Sequence, residues 1–200
     1  KVRSVLCLFE GVVSGAADGY ARISGKPAIT LLHLGPGYAN SMANLHNAKR
    51  ANSAIVNIIG DHAVWHHEYD APLTSDVEAH VRIHSHWYKS TTSAEDLSLA
   101  GAEAVSASLS GAGKIASLIV PANHAWEPAS KSFDRILPTP LTVVAKDDVE
   151  KVARLLTNGK RTGLMLGGHA LREEALMFAG RISNRTDASI LSETFPARLQ

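Results

Sequence analysis

The chain has 200 residues, 45% of them hydrophobic, enough for one sizeable α/β domain or one and a half smaller ones and too much for wholesale disorder. A formal net charge of +1 lacks the basic surplus of a nucleic-acid binder. No apolar run is long enough to span a bilayer, so no membrane partner is expected, and the single Cys7 excludes an internal disulfide.

Val2 to Phe9 reads as a buried strand, with Cys7 as a buried thiol in a reducing, cytoplasmic compartment. The chain opens abruptly on this run, without an initiator Met or a signal-peptide layout, and is expected to lack its natural beginning. Glu10 to Arg22 reads as a helix, with Val12, Val13, Ala16, Ala17 and Tyr20 at helical spacing. A turn at Ser24 to Pro27 leads to a second strand, Ala28 to Leu32, apolar enough to be buried on both faces. His33 to Gly37 reads as a glycine-proline loop, Tyr38 to Ala51 as a helix, and Ala54 to Ile59 as a third strand ending at Gly60-Asp61.

Residues 60–92 show no clear period, and an irregular stretch of that length in a compact domain is more often functional than idle. It holds His62, His66, His67, His80, His84 and His86. With no cysteine partner and no H-E-x-x-H spacing, these do not match a zinc site, and no metal ligand is assigned to the chain. A helix follows at Ala94 to Leu109, then a buried strand at Ile115 to Val120. Strand and helix alternate as in a parallel sheet flanked by helices. Residues 123–146 are proline-rich and read as a linker. A helix from Asp147 to about Leu156, a strand at Leu164 to Leu166, a helix at Leu171 to Ile182 and a strand at Ala188 to Leu191 follow. They form the first part of a second, Rossmann-like α/β domain. The expected division is therefore 1–122, a linker 123–146, and 147–200, truncated.

Glu10 stands where a buried strand passes into a helix. Ligands in open α/β sheets bind at the carboxyl ends of strands, and a desolvated carboxyl there can hold or pass a proton. An acidic residue in a first helical turn, favoured by the helix dipole, is the stronger account on physics alone. Gly35-Pro36-Gly37 suits either backbone approach to a flat ring or an ordinary turn. His33 suits either acid–base work near neutral pH or a bond to a backbone carbonyl. Asp61 suits either a ligand contact or a loop cap.

The run E-G-V-V-S-G-A-A-D-G-Y-A-R from Glu10 to Arg22, then G-K-P-A, then Leu34-Gly35-Pro36-Gly37 with Asn40 and Asn47-Ala48, resembles the pyrimidine-domain signature of thiamine-diphosphate enzymes. That group includes acetolactate synthase, benzoylformate decarboxylase and oxalyl-CoA decarboxylase, and the likeness is nearest to acetolactate synthase large subunits. The resemblance implies a pyrimidine-binding domain lacking its first strand and helix, then the opening of the middle domain. It implies that Glu10 hydrogen-bonds the aminopyrimidine ring of thiamine diphosphate and promotes loss of the thiazolium proton. Cofactor contacts fall on Glu10, Gly35, Pro36, Gly37, Asn40 and Asp61, and catalytic work on Glu10 and His33.

The implied substrate is a small 2-keto acid, with pyruvate condensation as in branched-chain amino-acid biosynthesis. Benzoylformate decarboxylase-like chemistry is the alternative, because His33 matches a histidine of that subgroup and departs from acetolactate synthases. Asp61, where many synthases have glutamine, departs too. The family's G-D-G motif for diphosphate and Mg²⁺ is absent, since Gly60-Asp61 is followed by His62, so those ligands are expected on a missing C-terminal domain. FAD is a further possibility for the family. The implied assembly is a homodimer or homotetramer with its active site at the subunit interface. An enzyme split between two chains and a non-catalytic α/β binding module are the remaining alternatives.

Overall fold

The computed structural model describes residues 3–194 and 196–199, which form two compact units, 1–140 and 141–200. The first unit is a parallel sheet between helices, as the alternation of strand and helix implies. In chain order it contains α1 (Glu10–Ser24), β1 (Ala28–His33), α2 (Leu34–Arg50), β2 (Ile55–Asp61), α3 (Val77–His84), β3 (Trp87–Ser90), α4 (Ala94–Leu109), β4 (Ile115–Pro121) and the short α5 (Ala122–Trp126). A 3₁₀ turn covers Val64–Tyr69. The strand order is β1-β2-β4-β3, parallel throughout, with His33 opposite Gly60 and Asp61 opposite Pro121.

Each face of the sheet has its own core. On one side Leu32, Ile55, Ile59, Ile115 and Ile119 pack with Ala17 of α1, Tyr38 and Leu45 of α2, and Val77 and Val81 of α3. On the other, Val56, Ala116, Leu118 and Val120 meet Ala100 and Ala104 of α4. Ser93 caps α4 by accepting from the Asp96 N–H at 3.2 Å, and Glu95 and Asp96 complement the positive helix end.

A polar row crosses the first core at one register level. Thr30 Oγ1 donates to Asn57 Oδ1 at 2.7 Å, Asn57 Nδ2 donates to Ser117 Oγ at 3.1 Å, and the Ser117 and Ser85 hydroxyls lie 2.7 Å apart. Asn57 is fully buried, and truncating it strands the Thr30 hydroxyl and leaves Ser117 with Ser85 alone. Asn57→Ala is expected to cost about 2 kcal/mol or more, read as a lowered urea midpoint.

The buried His84 imidazole is held below its ordinary pKa, first by burial and then by Lys49 and His46; His86 is lowered in the same way by burial, Lys49 and Lys114. The unfolded imidazoles take up protons near 6.5, the folded ones only at lower pH. The unfolded state therefore binds more protons as pH falls through that value. Stability is expected to be fully present above about pH 6.5 and to decline below it. Urea midpoints between pH 7.5 and 5 test this, and His84→Gln should flatten the slope.

Three expectations are corrected. Arg3 to Phe9 form no strand: Leu6 and Leu8 are almost fully exposed and Cys7 is half-buried, because this run finds no partner strand to pair with; Val2 lies outside the described residues. β1 is buried on one face only, with Ile29 and Leu31 exposed, because it is an edge strand whose second face α4 does not cover. Residues 60–92 are not irregular throughout, since they contain α3 and β3.

Of residues 123–146, expected as a linker, 123–126 belong to α5. The extended chain after it hydrogen-bonds along α4: the Ser130 and Lys131 N–H groups to Glu95, Phe133 N–H to Ser98, and Thr139 N–H to Ser110. The second unit contains α6 (Lys146–Leu156), β5 (Gly163–Leu166), α7 (Glu173–Thr186) and β6 (Ser189–Ser192), with β5 and β6 parallel and Leu171, Ala179 and Ala188 buried. Among the described residues, no helix is long and apolar enough to cross a membrane.

Candidate functional site

Small residues bring α1 and α2 close together. Ser14 Oγ donates to the Ser41 carbonyl at 3.2 Å, and Asn44 Nδ2 to the Gly11 carbonyl at 2.6 Å. At the far end the buried Asp18 takes bonds from Arg22 at 2.6 and 2.8 Å and from Ser53 at 2.5 Å. Glu10 meets Asn40 at one end of the pair of helices and Arg22 meets the Asn47 carbonyl at the other, so their N-termini lie at the same end. α2 begins where β1 stops, which puts Glu10 at the carboxyl ends of the strands, where α/β sheets bind ligands.

Glu10 is half-buried, and its Oε2 accepts from Asn40 Nδ2 at 3.1 Å. Among the described residues no other donor reaches the carboxylate. Oε1 lies over Gly37, where a Cβ would come within 3.2 Å of it and 3.4 Å of His33 Cβ. Gly37 thus separates the carboxyl from His33. The glycine-proline segment is not a loop. Gly35, Pro36 and Gly37 lie in the first turn of α2, where proline's missing N–H is no loss. The sharp reversal falls instead on Leu34, a buried residue at φ 56°. Backbone strain of this kind costs about 1–3 kcal/mol and persists only where surroundings enforce it. At Gly35 a side chain would collide with Ser75, so the segment before α3 packs directly on this turn. Phe9 and Val12 are more than half exposed, so they do not close an apolar pocket around Glu10.

Beside this cluster a cleft of about 510 Å³ opens at the ends of β1, β2 and β4. Leu31, Ile58, Leu73, Val120 and Trp126 give it apolar walls; His33, Asp61, His62 and His66 supply the polar groups. Asp61 is engaged at both oxygens: the His62 N–H donates to Oδ1 at 2.8 Å, and His67 Nε2 lies 3.4 Å from Oδ2. Asn123 ties the far wall together, accepting from the Val64 N–H at 3.1 Å. The structure therefore groups Glu10, Gly37 and Asn40 on one side of His33, and His33 with Asp61 in the cleft; Pro36 is exposed and Gly35 turns toward Ser75.

Sequence reasoning did not single out the His67–Asp61 pair, the strained Leu34 or the Ser75 contact. A capping signal at Asp76, with Val77 and Val81 at helical spacing, was available for α3. Among the described residues, no three His, Cys, Asp or Glu side chains converge to hold a metal ion.

A carboxyl at the mouth of a parallel sheet, over a glycine floor and beside a histidine-edged cleft, is an arrangement for binding a small flat ligand and handling a proton. Residues 1–84 match the model of the thiamine pyrophosphate enzyme N-terminal TPP-binding domain. The whole chain is 44% identical to a Mycobacterium tuberculosis H37Rv protein provisionally named as an acetolactate synthase large subunit, and covers 38% of it. A stretch of 54 residues, 27% of the chain and 10% of the relative, is 46% identical to benzoylformate decarboxylase of Pseudomonas aeruginosa PAO1. In fold, the chain is similar to Rhodococcus jostii RHA1 thiamine diphosphate-dependent 4-hydroxybenzoylformate decarboxylase, with a TM-score of 0.84, 22% identity, and coverage of 94% of this chain and 36% of that one. The chain is similar in sequence and fold to thiamine-diphosphate-dependent enzymes, and it spans little more than a third of the length of the mycobacterial relative and of the Rhodococcus structure.

Proposed function

We propose that residues 1–122 are the pyrimidine-binding domain of a thiamine-diphosphate-dependent enzyme acting on 2-keto acids, with 123–146 a linker and 147–200 the opening of the middle domain. The observation that carries this is the Glu10 carboxylate, with Oε2 held by Asn40 and Oε1 free above Gly37. The residues present fit an aminopyrimidine: a carboxyl oxygen without a partner, and a glycine floor that lets a flat ring approach. Thiamine diphosphate, when bound, supplies the electron sink for decarboxylation and carbon–carbon bond formation. Glu10 holds or moves a proton at Oε1, Asn40 fixes the carboxyl's orientation, Gly37 forms the floor, and Gly35 and Pro36 shape the turn that carries it. His33 and Asp61 face the substrate side. Diphosphate and Mg²⁺ ligands are assigned to a further domain, and a bound FAD belongs to the same middle-domain question. The active enzyme is a cytoplasmic homodimer or homotetramer with the site at the subunit interface.

Acetolactate synthase-like condensation of pyruvate is supported by the 44% identity along the whole chain. A benzoylformate decarboxylase-like activity is the second reading, favoured by His33 at the cleft and by its apolar walls. The test is titration of the complete subunit with thiamine diphosphate and Mg²⁺, followed by carbon dioxide release from pyruvate and from benzoylformate. Release from either substrate selects between the two readings. Cofactor binding without turnover of either would displace both substrates, and absence of binding would remove the cofactor class.

A further inference from the structure

The cleft contains a polar group that nothing yet described uses. His62 lines the cavity, yet its Nε2 is shut off from solvent and has no hydrogen-bond partner. A buried polar atom left unpaired is unfavourable, so this imidazole gains wherever it meets a counterpart. The backbone does not offer one. The neighbouring Asp61 carboxylate accepts from the His62 backbone N–H at Oδ1, and its Oδ2 lies 3.4 Å from His67 Nε2. The other side chains of the walls are mostly apolar, with His33 and His66 at the rim. A ligand in this cleft thus rests its apolar part against Leu31, Ile58 and Trp126, and meets few groups able to pair with an anionic end.

From this unpaired nitrogen we infer that His62 is a substrate-recognition residue: on binding, its ring turns to present Nε2–H to the carboxylate of a 2-keto acid seated in the cleft. The inference deepens the proposed function and rests on its assignment of a 2-keto acid. It differs from the role given to Glu10, which concerns the cofactor.

The test uses the complete subunit without cofactor, so that it runs independently of turnover. Benzoylformate and its methyl ester, which lacks the charged carboxylate, are titrated against tryptophan fluorescence, with Trp126 in the cleft wall as reporter. Wild type is expected to bind the acid at least ten-fold more tightly than the ester. His62→Leu should abolish that preference, and His62→Gln, which keeps a donor, should restore most of it. If His62→Leu does not fold, as read by circular dichroism, His62→Asn carries the same expectation, because its amide stops short of the Nε2 position. Equal binding of acid and ester by wild type, or an unchanged preference in the Leu or Asn variant, overturns the inference. Thiamine diphosphate titration of the same wild-type sample reports separately on the proposed function, so the two can fail independently.

Discussion

Glu10→Gln in the complete subunit is expected to lower carbon dioxide release from the accepted 2-keto acid by about 10²- to 10⁴-fold, the range for removing a positioned proton-transfer group. The substitution is close to isosteric. The glutamine carbonyl can take the place of Oε2 and accept from Asn40, leaving the amide over Gly37 where Oε1 stood. Packing between α1 and α2 does not depend on the carboxyl, since Ser14, Asn44 and Asp18 hold the two helices together. Stability should therefore change by no more than about 0.5 kcal/mol, as for substitutions that break no buried network. An inactive, stable variant that still binds thiamine diphosphate would locate the defect in the proton. Full activity in a stable variant would leave Glu10 as a helix-terminal acid favoured by the dipole, the plainer account of its position.

Local physics made most of the scaffold legible in the sequence. The helix beginning at Glu10 shows in its periodicity, and the apolar runs at Ala28, Ala54 and Ile115 are long enough to declare strands. The run before Glu10 misled because strand propensity says nothing about whether a neighbour is present: Val5, Leu6 and Leu8 have strand character and no partner. Two-sided burial of Ala28 to Leu32 failed for a related reason, since edge or centre is a property of topology and not of composition. Gly35-Pro36-Gly37 carries turn chemistry, but proline also opens helices, and only the geometry of Leu34 decides between them. The site divides in the same way. Glu10 was singled out by its place in the chain, while its pairing with Asn40 bridges thirty positions and depends on how α1 and α2 cross. The orphaned Nε2 of His62 has no signature in sequence, because the absence of a partner is a fact of packing alone.

Gly37→Ala separates activity from stability, in the opposite sense to most substitutions. Gly37 lies within α2, where alanine is favoured over glycine by roughly 0.5–1 kcal/mol. A methyl group there meets Glu10 Oε1 at 3.2 Å and His33 Cβ at 3.4 Å, closer than the side chains accept without moving by a few tenths of an ångström. The two groups it displaces are those assigned to the cofactor and the substrate side, and it also fills the floor on which a flat ring would lie. A misplacement approaching 1 Å costs on the order of 100-fold in rate. Gly37→Ala is thus expected to lower kcat/KM by about ten- to a hundred-fold with an unchanged or raised urea midpoint. Gly101 in α4 supplies the control: no atom lies within 4 Å of a Cβ built there, so Gly101→Ala should raise the midpoint and leave turnover intact. Equal behaviour of the two variants would mean that the close approach of Gly37 to Glu10 has no part in the chemistry.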